Sequence, residues 1–451
     1  MSDRWGVCLM EPIILNQLKD SWILKQNELI QKRRPRRYLH FDKPIVKITE
    51  EIANEITNPE LIKSHSFYPL FKSPIGNRIY KKDPKTNIKK IVWKDRPISY
   101  PSHYDSLIYS WYTYQLEFFY EKQIKDCGLD DNVIAYRKLG KSNIDFALEV
   151  FGFVKKKKEC ASLSLDIEGF YDNLDFDILK NSWKNNLGVK SLPDDHFNVF
   201  KSITRYSYIR RREIIKLKKS IAEIYPNKKF ILNSKTLDFL RDNKKIKKNK
   251  AKGIPQGTPI SCVLANLYML PSDKAILNKI NNLGGLYRRY SDDIIIICPQ
   301  NKLAEIESFA KETIQGLKLK IQDSKTEKRL FKNNDNKFIC IDEDDKNSRL
   351  NYLGIVLSSD DTYLRHKGYA KFERKMTKFI YKKVEEAKEL KIPIFKRKIY
   401  ERFSSFGKQN YVSYAKRAYK KINISHSKQQ INFNRIMKKI NKKISKVKSK
   451  K

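Results

Sequence analysis

The chain has 451 residues, with 94 lysines and arginines against 51 aspartates and glutamates, a formal charge of +43. This excess predicts binding to a polyanion, with an affinity that falls steeply as salt rises. The six cysteines form no Cys-x-x-Cys pair and the six histidines no His-Glu-x-x-His motif, so nothing in the sequence suggests zinc or a disulfide framework. No apolar run approaches the about 18 residues of a membrane span, and we find no signal peptide. We therefore expect a cytoplasmic protein with reduced cysteines.

Three segments of the first half differ from the rest in composition. Lys32 to Arg37 is a basic cluster that either contacts nucleic-acid phosphates or forms a solvated loop. The aromatic-rich stretch from Tyr109 to Tyr120 is more typical of a buried helical stripe than of a base-stacking platform. The segment from Asn173 to Lys250 becomes strongly basic after Arg241, and we expect a mobile loop there.

An acid ends an apolar pattern at Asp166. Apolar residues alternate from Leu163 onward, which predicts a half-buried strand that finishes at this aspartate. Its carboxylate either caps the turn that follows or belongs to a site at the end of a sheet.

The stretch from Gly253 to Ser261 opens with two glycines and two prolines in seven residues, which predicts a tightly shaped loop. Thr258 followed by Pro259 predicts a helix start, with the threonine as N-cap and the proline at the first helical position. The helix is expected to continue through Val263 to Tyr268. The loop is either a plain junction or part of a site.

Two adjacent acids lie between two β-prone segments. Tyr290 to Asp293 separates Leu286 to Arg289 from the four isoleucines Ile294 to Ile297, which predicts a hairpin with its acids at the bend. Acids presented in this way can hold a divalent metal, although an Asp-Asp pair alone is also typical of a solvated turn.

In this order and spacing, the segments resemble the palm motifs of reverse transcriptases. Asp166 with Phe170 to Asp172 resembles the first catalytic motif. Gly253 to Ser261 resembles the Pro-Gln-Gly loop, and Tyr290 to Asp293 resembles the Tyr-x-Asp-Asp box.

Weaker motifs follow the same order. Lys325-Thr326 resembles the Lys-Thr pair of the family, and Leu350 to Gly354 resembles its primer-grip hairpin. Arg96 to Ile98 and Ala135 to Lys138 resemble the fingers motifs. The resemblance covers roughly residues 95–360.

The resemblance implies an α+β right-hand polymerase. Residues 1–95 would be an N-terminal extension with the basic cluster, and 96–160 the fingers. Residues 161–360 would be the palm, an antiparallel sheet with packed helices and a basic insertion near 185–250. Residues 361–451 would be a helical basic thumb and a C-terminal tail.

The resemblance also implies nucleotidyl transfer, in which DNA is made from dNTPs on an RNA template. Asp166, Asp292 and Asp293 would be catalytic and, with the backbone carbonyl of Ile167, would hold Mg²⁺, with Mn²⁺ as a substitute. Lys325 would donate a proton to the leaving pyrophosphate.

Substrate-binding residues follow from the same resemblance. Arg137 and Lys138 would contact the triphosphate, or would be solvated basic surface. Tyr171 would lie under the sugar and exclude a 2′-hydroxyl, or would be a core aromatic. Gln256 and Gly257 would lie near the nascent base pair.

The C-terminal region is unusually basic, with 29 lysines and arginines against six acids after residue 360. Phe372, Met376, Ile380 and Val384 recur at helical spacing, so we expect thumb helices that hold the product duplex by its backbone. Lys438 to Lys451 is either a basic amphipathic helix or a disordered arm.

Missing motifs narrow the resemblance. No Val-Thr-Gly occurs in the thumb region, which disfavours a retron enzyme, and no endonuclease, integrase or RNase H pattern follows the thumb. The chain resembles compact, stand-alone bacterial reverse transcriptases, above all the abortive-infection and defence-associated groups. Their partners are an RNA template, which a dedicated noncoding RNA could supply, the DNA product and dNTPs, and no membrane is expected.

Three alternatives stay open. The first is a template-independent or protein-primed DNA polymerase of the same fold, and the second is a non-catalytic nucleic-acid-binding scaffold. The third, an RNA-dependent RNA polymerase, predicts a small or polar residue in place of Tyr171 and Gly-Asp-Asp at the hairpin.

Overall fold

The computed structural model describes residues 12–32, 39–82, 86–216, 234–249, 251–334, 337–359, 361–424, 431–433 and 435–449. The basic cluster predicted at Lys32 to Arg37 therefore lies, apart from its first residue, outside the described residues.

The helices of these residues are α1 (Pro12–Lys32), α2 (Glu50–Thr57), α3 (Pro59–Lys63), α4 (His103–Asp126), α5 (Asn143–Lys157), α6 (Phe176–Leu187), α7 (Asp194–Thr204), α8 (Arg211–Lys216), α9 (Ser234–Asp242), α10 (Ser261–Asn281), α11 (Leu303–Gly316), α12 (His366–Glu389), α13 (Lys396–Phe403), α14 (Tyr411–Ile422) and α15 (Ile436–Ser449). The strands are β1 (Leu70–Lys82), β2 (Lys89–Tyr100), β3 (Cys160–Asp166), β4 (Ser207–Arg210), β5 (Ile246–Lys248), β6 (Leu286–Tyr290), β7 (Asp293–Cys298), β8 (Glu327–Asn334), β9 (Lys337–Ile341), β10 (Arg349–Tyr352), β11 (Ile355–Ser358) and β12 (Thr362–Leu364). None of these helices is both long and apolar enough to cross a bilayer.

A five-stranded antiparallel sheet lies at the centre, in the order β6-β7-β3-β8-β9. Leu163 and Ile296 belong to a core cluster on one face, and Cys160 and Ile297 to a cluster on the other. The expectation of a half-buried β3 is therefore wrong, because β3 is a central strand covered on both faces. The same burial explains why β7 is a run of isoleucines rather than an alternating strand.

Helices pack on both faces of this sheet. The first core cluster includes buried side chains of α4, α6, α10 and α11, and the second includes those of α5, the three-stranded sheet β10-β11-β12 and α12 to α15. Antiparallel sheets with helices on their faces confirm the predicted α+β class.

A second sheet has the order β2-β1-β4-β5 and corrects two expectations. The domain boundary predicted at residue 95 falls inside β2, which pairs along its length with β1. The mobile loop expected after Arg241 contains β5, which pairs with β4 from Ser207↔Lys248 to Ile209↔Ile246. Because β4 also pairs with β1, the N-terminal residues and the basic insertion form one sheet.

The C-terminal region is helical, as expected. Phe372, Met376, Ile380 and Val384 of α12 are buried in the second core cluster. The tail forms helix α15, whose Ile436, Ile440, Ile444 and Val447 enter the same cluster. Of the two alternatives for the tail, the structure therefore shows the amphipathic helix. The boundary expected at residue 360 falls inside the three-stranded sheet, since β12 pairs with β11.

Candidate active site

Three carboxylates meet at one end of the central sheet. Asp166, the last residue of β3, lies opposite Asp293, the first residue of β7. Asp292 lies in the turn before β7, and its carbonyl accepts a hydrogen bond of 3.3 Å from the backbone N–H of Ile167. The structure thus brings together the four residues that were predicted to hold metal.

The turn that carries Asp292 is short and constrained. Tyr290 pairs with Asp293, so Ser291 and Asp292 are the two residues between the strands, which is the hairpin predicted from the sequence. Ser291 is buried and has a φ of 61°, in the left-handed region that two-residue hairpin turns use.

The carboxylates oppose one another's ionisation. Partial burial raises the pKa of Asp293 to about 6, and the Asp292 and Asp166 charges contribute to the rise. Burial also raises the pKa of Asp292, with a further contribution from Asp166. Crowded, repelling carboxylate oxygens form a donor set that a hard divalent cation would stabilise. The residues present therefore fit the metal that the sequence implies.

Lys325 supplies a positive charge at this site. It ends a 3₁₀ turn, Asp323–Lys325, and its ammonium forms an ion pair with Oδ2 of Asp166. The ammonium also acts on Asp292 and Asp293, where its charge lowers the pKa of both carboxyls against the effect of burial.

Tyr171 lies in the 3₁₀ turn Phe170–Asp172, just beyond β3. Its hydroxyl donates to the Tyr136 hydroxyl at 3.1 Å, and Tyr136 donates to Oγ of Ser291 at 3.0 Å. Tyr171 is thereby connected to the turn that carries Asp292. The fingers motif predicts substrate contacts for Arg137 and Lys138, and no pattern in it points to Tyr136.

Arg137 does not face the site, which corrects its prediction as a triphosphate contact. Its guanidinium donates to both carboxylate oxygens of Glu121, to the carboxylate and carbonyl of Asp130, and to the carbonyl of Val133. These bonds use all five donors of a side chain that is only 2% exposed. Lys138 is exposed, with its ammonium 6.0 Å from the centroid of the Tyr114 ring.

The Pro-Gln-Gly loop is fixed by its backbone. The carbonyl of Gln256 accepts a hydrogen bond of 2.7 Å from the N–H of Ser99 in β2. Gly257 has a φ of 108°, and a Cβ there would lie 2.6 Å from the Ser99 carbonyl oxygen, so a side chain is excluded. Gly253 similarly lies against Asp172, with 2.5 Å from a Cβ to that carbonyl oxygen.

The helix after this loop begins later than expected. Its first residue is Ser261 and its N-cap is Ile260, not Thr258. Thr258 and Ser261 instead join their hydroxyls at 2.5 Å, and Ser261 donates to the carbonyl of Pro255 at 2.5 Å. These bonds close the loop on itself before the helix starts.

A buried ion pair supports the turn that carries Asp292, and it was not among the residues predicted from the sequence. Arg289 of β6 donates from Nε and Nη2 to the two carboxylate oxygens of Asp273 in α10. Its Nη1 donates to the Ser291 carbonyl at 3.1 Å. The available sequence signals were an arginine inside an alternating strand and an aspartate inside an apolar helix.

Arg96 was predicted only to belong to a fingers motif, but it acts on the acids. Its positive charge lowers the pKa of Asp292 against the effect of burial. Arg96 is exposed in β2 and places a positive charge near the carboxylates. Arg137 does not, because its guanidinium is bonded elsewhere.

Another group of potential metal ligands comprises His40, Asp42 and His103, whose ligand atoms lie within 4.8 Å of one another. Both oxygens of Asp42 accept backbone N–H bonds, from His103 at 2.8 Å and Tyr104 at 2.7 Å. The carboxylate therefore satisfies the open N–H groups at the start of α4, which is a structural role.

The fold and the site define a right-hand polymerase, with the acids on the palm sheet and a helical region beyond it. The family profile of the reverse transcriptases (RNA-dependent DNA polymerase) matches residues 84–357, more than half of the chain. The chain belongs to this family, whose members are nucleotidyltransferases.

Solved structures give distant matches. Apo telomerase from Candida tropicalis, truncated from its C-terminal domain, is 14% identical with a TM-score of 0.40, over 78% of this chain and 60% of that one. Telomerase from Candida albicans, in complex with a telomeric RNA fragment, is 11% identical with a TM-score of 0.33, over 78% and 50%. An RNA polymerase complex inside a double-stranded RNA virus is 11% identical with a TM-score of 0.42, over 77% and 28%. The chain thus spans 60% or less of these chains. No curated protein matches it significantly.

Proposed function

We propose that the protein is an RNA-directed DNA polymerase that makes DNA from dNTPs on an RNA template. The observation that carries the proposal is the register of β3 against β7, which sets Asp166 opposite Asp293 beside Asp292. Membership of the reverse transcriptase family supports it.

Asp166, Asp292, Asp293 and the Ile167 carbonyl would hold two divalent ions, Mg²⁺ with Mn²⁺ as a substitute. When bound, such ions stabilise the attacking and leaving oxygens of the transfer. The protein supplies position: the sheet register aligns the acids, and Arg289 holds the turn through the Ser291 carbonyl. Positioning and electrostatics dominate this chemistry, because little covalent work falls to the protein.

Lys325 has two roles in this proposal. Its ion pair with Asp166 balances the acids before the ions bind. Its ammonium then donates a proton to the leaving pyrophosphate. The 41% exposure of its side chain leaves it free to change partners.

The incoming nucleotide lies between the fingers segments and the acids. Tyr171 packs under the sugar and excludes a 2′-hydroxyl, while Arg96 and Lys138 contact the triphosphate. Gln256 lies at the nascent base pair, and its backbone is held to Ser99 of β2, which the loop can approach because Gly257 has no side chain. Arg137 orders the fingers segment from within.

The C-terminal helices hold the RNA–DNA product through phosphates. Their charge, 29 basic residues against six acidic ones after residue 360, supports this role. Phosphate contacts position a duplex without reading its sequence, as a polymerase that moves along its template requires.

We further propose that the enzyme acts in antiviral defence against phage, because the chain has a general resemblance to the defence-associated groups of bacterial reverse transcriptases. Expression of the wild type should lower phage plating, and the Asp292→Asn variant at equal abundance should not. Equal protection by both proteins would refute a defence role that depends on DNA synthesis.

The polymerase proposal is tested by extending a labelled DNA primer on a defined RNA template with dNTPs and Mg²⁺. The expected product is DNase-sensitive and follows the template sequence. Product made without template would support the template-independent alternative, and binding without product would support the scaffold.

A further inference from the structure

Side chains from four separate sequence motifs meet beside the catalytic turn. Tyr171 follows the first catalytic motif, Tyr136 lies in the fingers, Ser291 lies in the turn, and Cys262 follows the Pro-Gln-Gly loop. Tyr171 donates to Tyr136 at 3.1 Å and Tyr136 donates to Ser291 at 3.0 Å. Burial raises the pKa of the Cys262 thiol, and a hydrogen bond with Tyr171 opposes that rise.

Tyr136 adopts a backbone conformation that bulky residues rarely use. Its φ is 66°, in the left-handed region. Such a conformation is strained and persists only where the surroundings impose it. In native proteins this kind of strain concentrates at functional sites.

Hydrogen bonds on both sides of Tyr136 impose this left-handed backbone conformation. The Ala135 carbonyl accepts a bond of 3.1 Å from the side-chain amide of Asn266, which is buried. On the other side, the five bonds of Arg137 fix the next residue. Ile134 donates its N–H to the Arg289 carbonyl at 3.0 Å, which ties the segment to β6.

The backbone of Tyr171 is also fixed by a hydrogen bond. Its carbonyl accepts a bond of 2.8 Å from the N–H of Ile254 in the Pro-Gln-Gly loop. With this backbone fixed, the direction in which the ring points depends on the first side-chain torsion, and the hydroxyl bond to Tyr136 restrains that torsion. Tyr136 is 45% exposed, although Ala135 and the side chain of Arg137 on either side of it in the sequence are buried. Its ring therefore lies at the surface of the site rather than inside the core.

We infer that Tyr136 is a positioning residue for sugar selection: with its hydroxyl held by Ser291, it fixes the Tyr171 ring beside the catalytic turn. The substrate class that this arrangement favours is the deoxynucleoside triphosphate. The inference rests on the proposed function and adds that the fingers and the turn set the sugar pocket together.

The test measures kcat/KM for dNTPs and rNTPs on one RNA template, with the full chain and Mn²⁺ or Mg²⁺. Tyr136→Phe removes only the hydroxyl, and we expect the dNTP/rNTP ratio to fall about threefold to tenfold, the value of one hydrogen bond. The Tyr136→Phe/Tyr171→Phe double variant should fall no further than the lower single variant, because both changes break the same bond.

Tyr109→Phe is the matched control, since it removes a tyrosine hydroxyl bonded to Ser202, between α4 and α7. Its ratio should equal that of the wild type. If Tyr136→Phe does not fold, as judged by its melting curve, Ser291→Ala removes the acceptor that holds the Tyr136 hydroxyl, and with it the hydrogen bond of Ser291 to Tyr171, and should also lower the ratio.

The outcomes separate the two proposals. A wild type that prefers dNTPs, with folded Tyr136→Phe and Ser291→Ala variants whose preference is unchanged, overturns the inference alone. A wild type that makes no DNA overturns the proposed function, and the inference with it. A purely structural role for Tyr136 predicts lower melting temperatures without a change in the ratio, and it too would overturn the inference.

Discussion

Arg289 and Asp273 form a completely buried bidentate ion pair, with Nε–Oδ1 and Nη2–Oδ2 distances of 2.6 Å each. Tyr287 donates its hydroxyl to the same carboxylate at 2.5 Å, and Asn266 accepts from Arg289 at 3.2 Å. Because Arg289 also donates to the Ser291 carbonyl, a core network connects α10 to the turn that carries Asp292.

Asp273→Ala should be strongly destabilising, because it leaves the Arg289 charge buried without its counter-ion. We expect the free energy of unfolding to fall by about 3–5 kcal/mol, measured by urea denaturation. Primer extension should also fall in the protein that remains folded, since the turn loses its support.

The control for this variant is an exposed pair. Arg397 and Glu401 lie one turn apart in α13, with side chains 82% and 46% exposed. Glu401→Gln should change the free energy of unfolding by less than about 1 kcal/mol. Equal effects of Asp273→Ala and Glu401→Gln would contradict the role of the buried pair.

Tyr171→Ala should admit ribonucleotides better than the wild type, because the ring that meets the 2′-hydroxyl is gone. The measurement is the dNTP/rNTP ratio of kcat/KM in an active preparation. Tyr104→Ala, another half-buried tyrosine, is the control for general destabilisation. An unchanged ratio in active Tyr171→Ala would assign Tyr171 to the core alone.

Neutralising the exposed face of α15 should weaken nucleic-acid binding. Lys438 and Lys442 are exposed, and neither has an acidic partner within the described residues. Each phosphate that the protein no longer neutralises should reduce the slope of log affinity against log salt by roughly 0.7 to 0.9, so the Gln double variant should show a flatter slope. Chemistry on a pre-bound substrate should persist, because the acids lie on the palm.

Lys443→Gln is the matched control on the same helix. Its ammonium lies 3.2 Å from Glu373 and bonds to Thr377, so it is already engaged by α12. This change should lower the melting temperature and leave the salt slope unaltered. A double variant at Lys438 and Lys442 with wild-type slope would mean that this helix face is only solvated.

The stability of the protein should fall in mild acid because of His196. Burial lowers the pKa of this histidine to about 4, below its ordinary value near 6.5, and the ring accepts a bond from Trp183. Between these pH values His196 is protonated in the unfolded chain and neutral in the folded protein. The contribution of His196 to the free energy of unfolding is therefore complete above pH about 6.5 and is lost as pH falls toward 4.

Between pH 6.5 and pH 4 the free energy of unfolding should fall by about 3 kcal/mol because of His196. His196→Asn keeps an acceptor for Trp183 but does not titrate, so the difference between its free energy of unfolding and that of the wild type should shrink by this amount on acidification. Parallel pH curves for the two proteins would contradict the assignment.

The sequence predicts the local elements of the site well. The hairpin from β6 to β7, the strand that ends at Asp166 and the tight loop at Gly253 each follow from patterns within about ten residues. Leu353 and Gly354 likewise form the expected turn between β10 and β11, with φ of 46° and 89°.

The parts of the fold and the site that the sequence does not predict depend on contacts between residues far apart in the chain. Arg137 matched a motif for triphosphate contacts, but Glu121 of α4 and Asp130 saturate it, and no pattern in the fingers segment encodes that arrangement. The pairing of β1 with β4 joins Leu70 to Tyr208 and depends on the tertiary fold. Tyr136 was missed for the same reason, because its partners Tyr171 and Ser291 come from two other motifs.

Asp292→Asn should increase the thermal stability of the metal-free protein while it removes activity. The three carboxylates repel one another, and burial already raises the pKa of Asp292, so its charge costs stability at neutral pH. The expected result is a melting temperature at or above that of the wild type, measured in EDTA. A large decrease would show that Asp292 is mainly structural.

Primer extension on a defined RNA template, with dNTPs and titrated Mg²⁺, shows most directly whether Asp166, Asp292 and Asp293 carry DNA synthesis. We predict metal-dependent DNA synthesis by the wild type and none by folded Asp292→Asn, because the turn then lacks the carboxylate that lies beside the Asp166–Asp293 pair. Extension by Asp292→Asn at the wild-type rate, or by the wild type with all divalent ions removed, would contradict it.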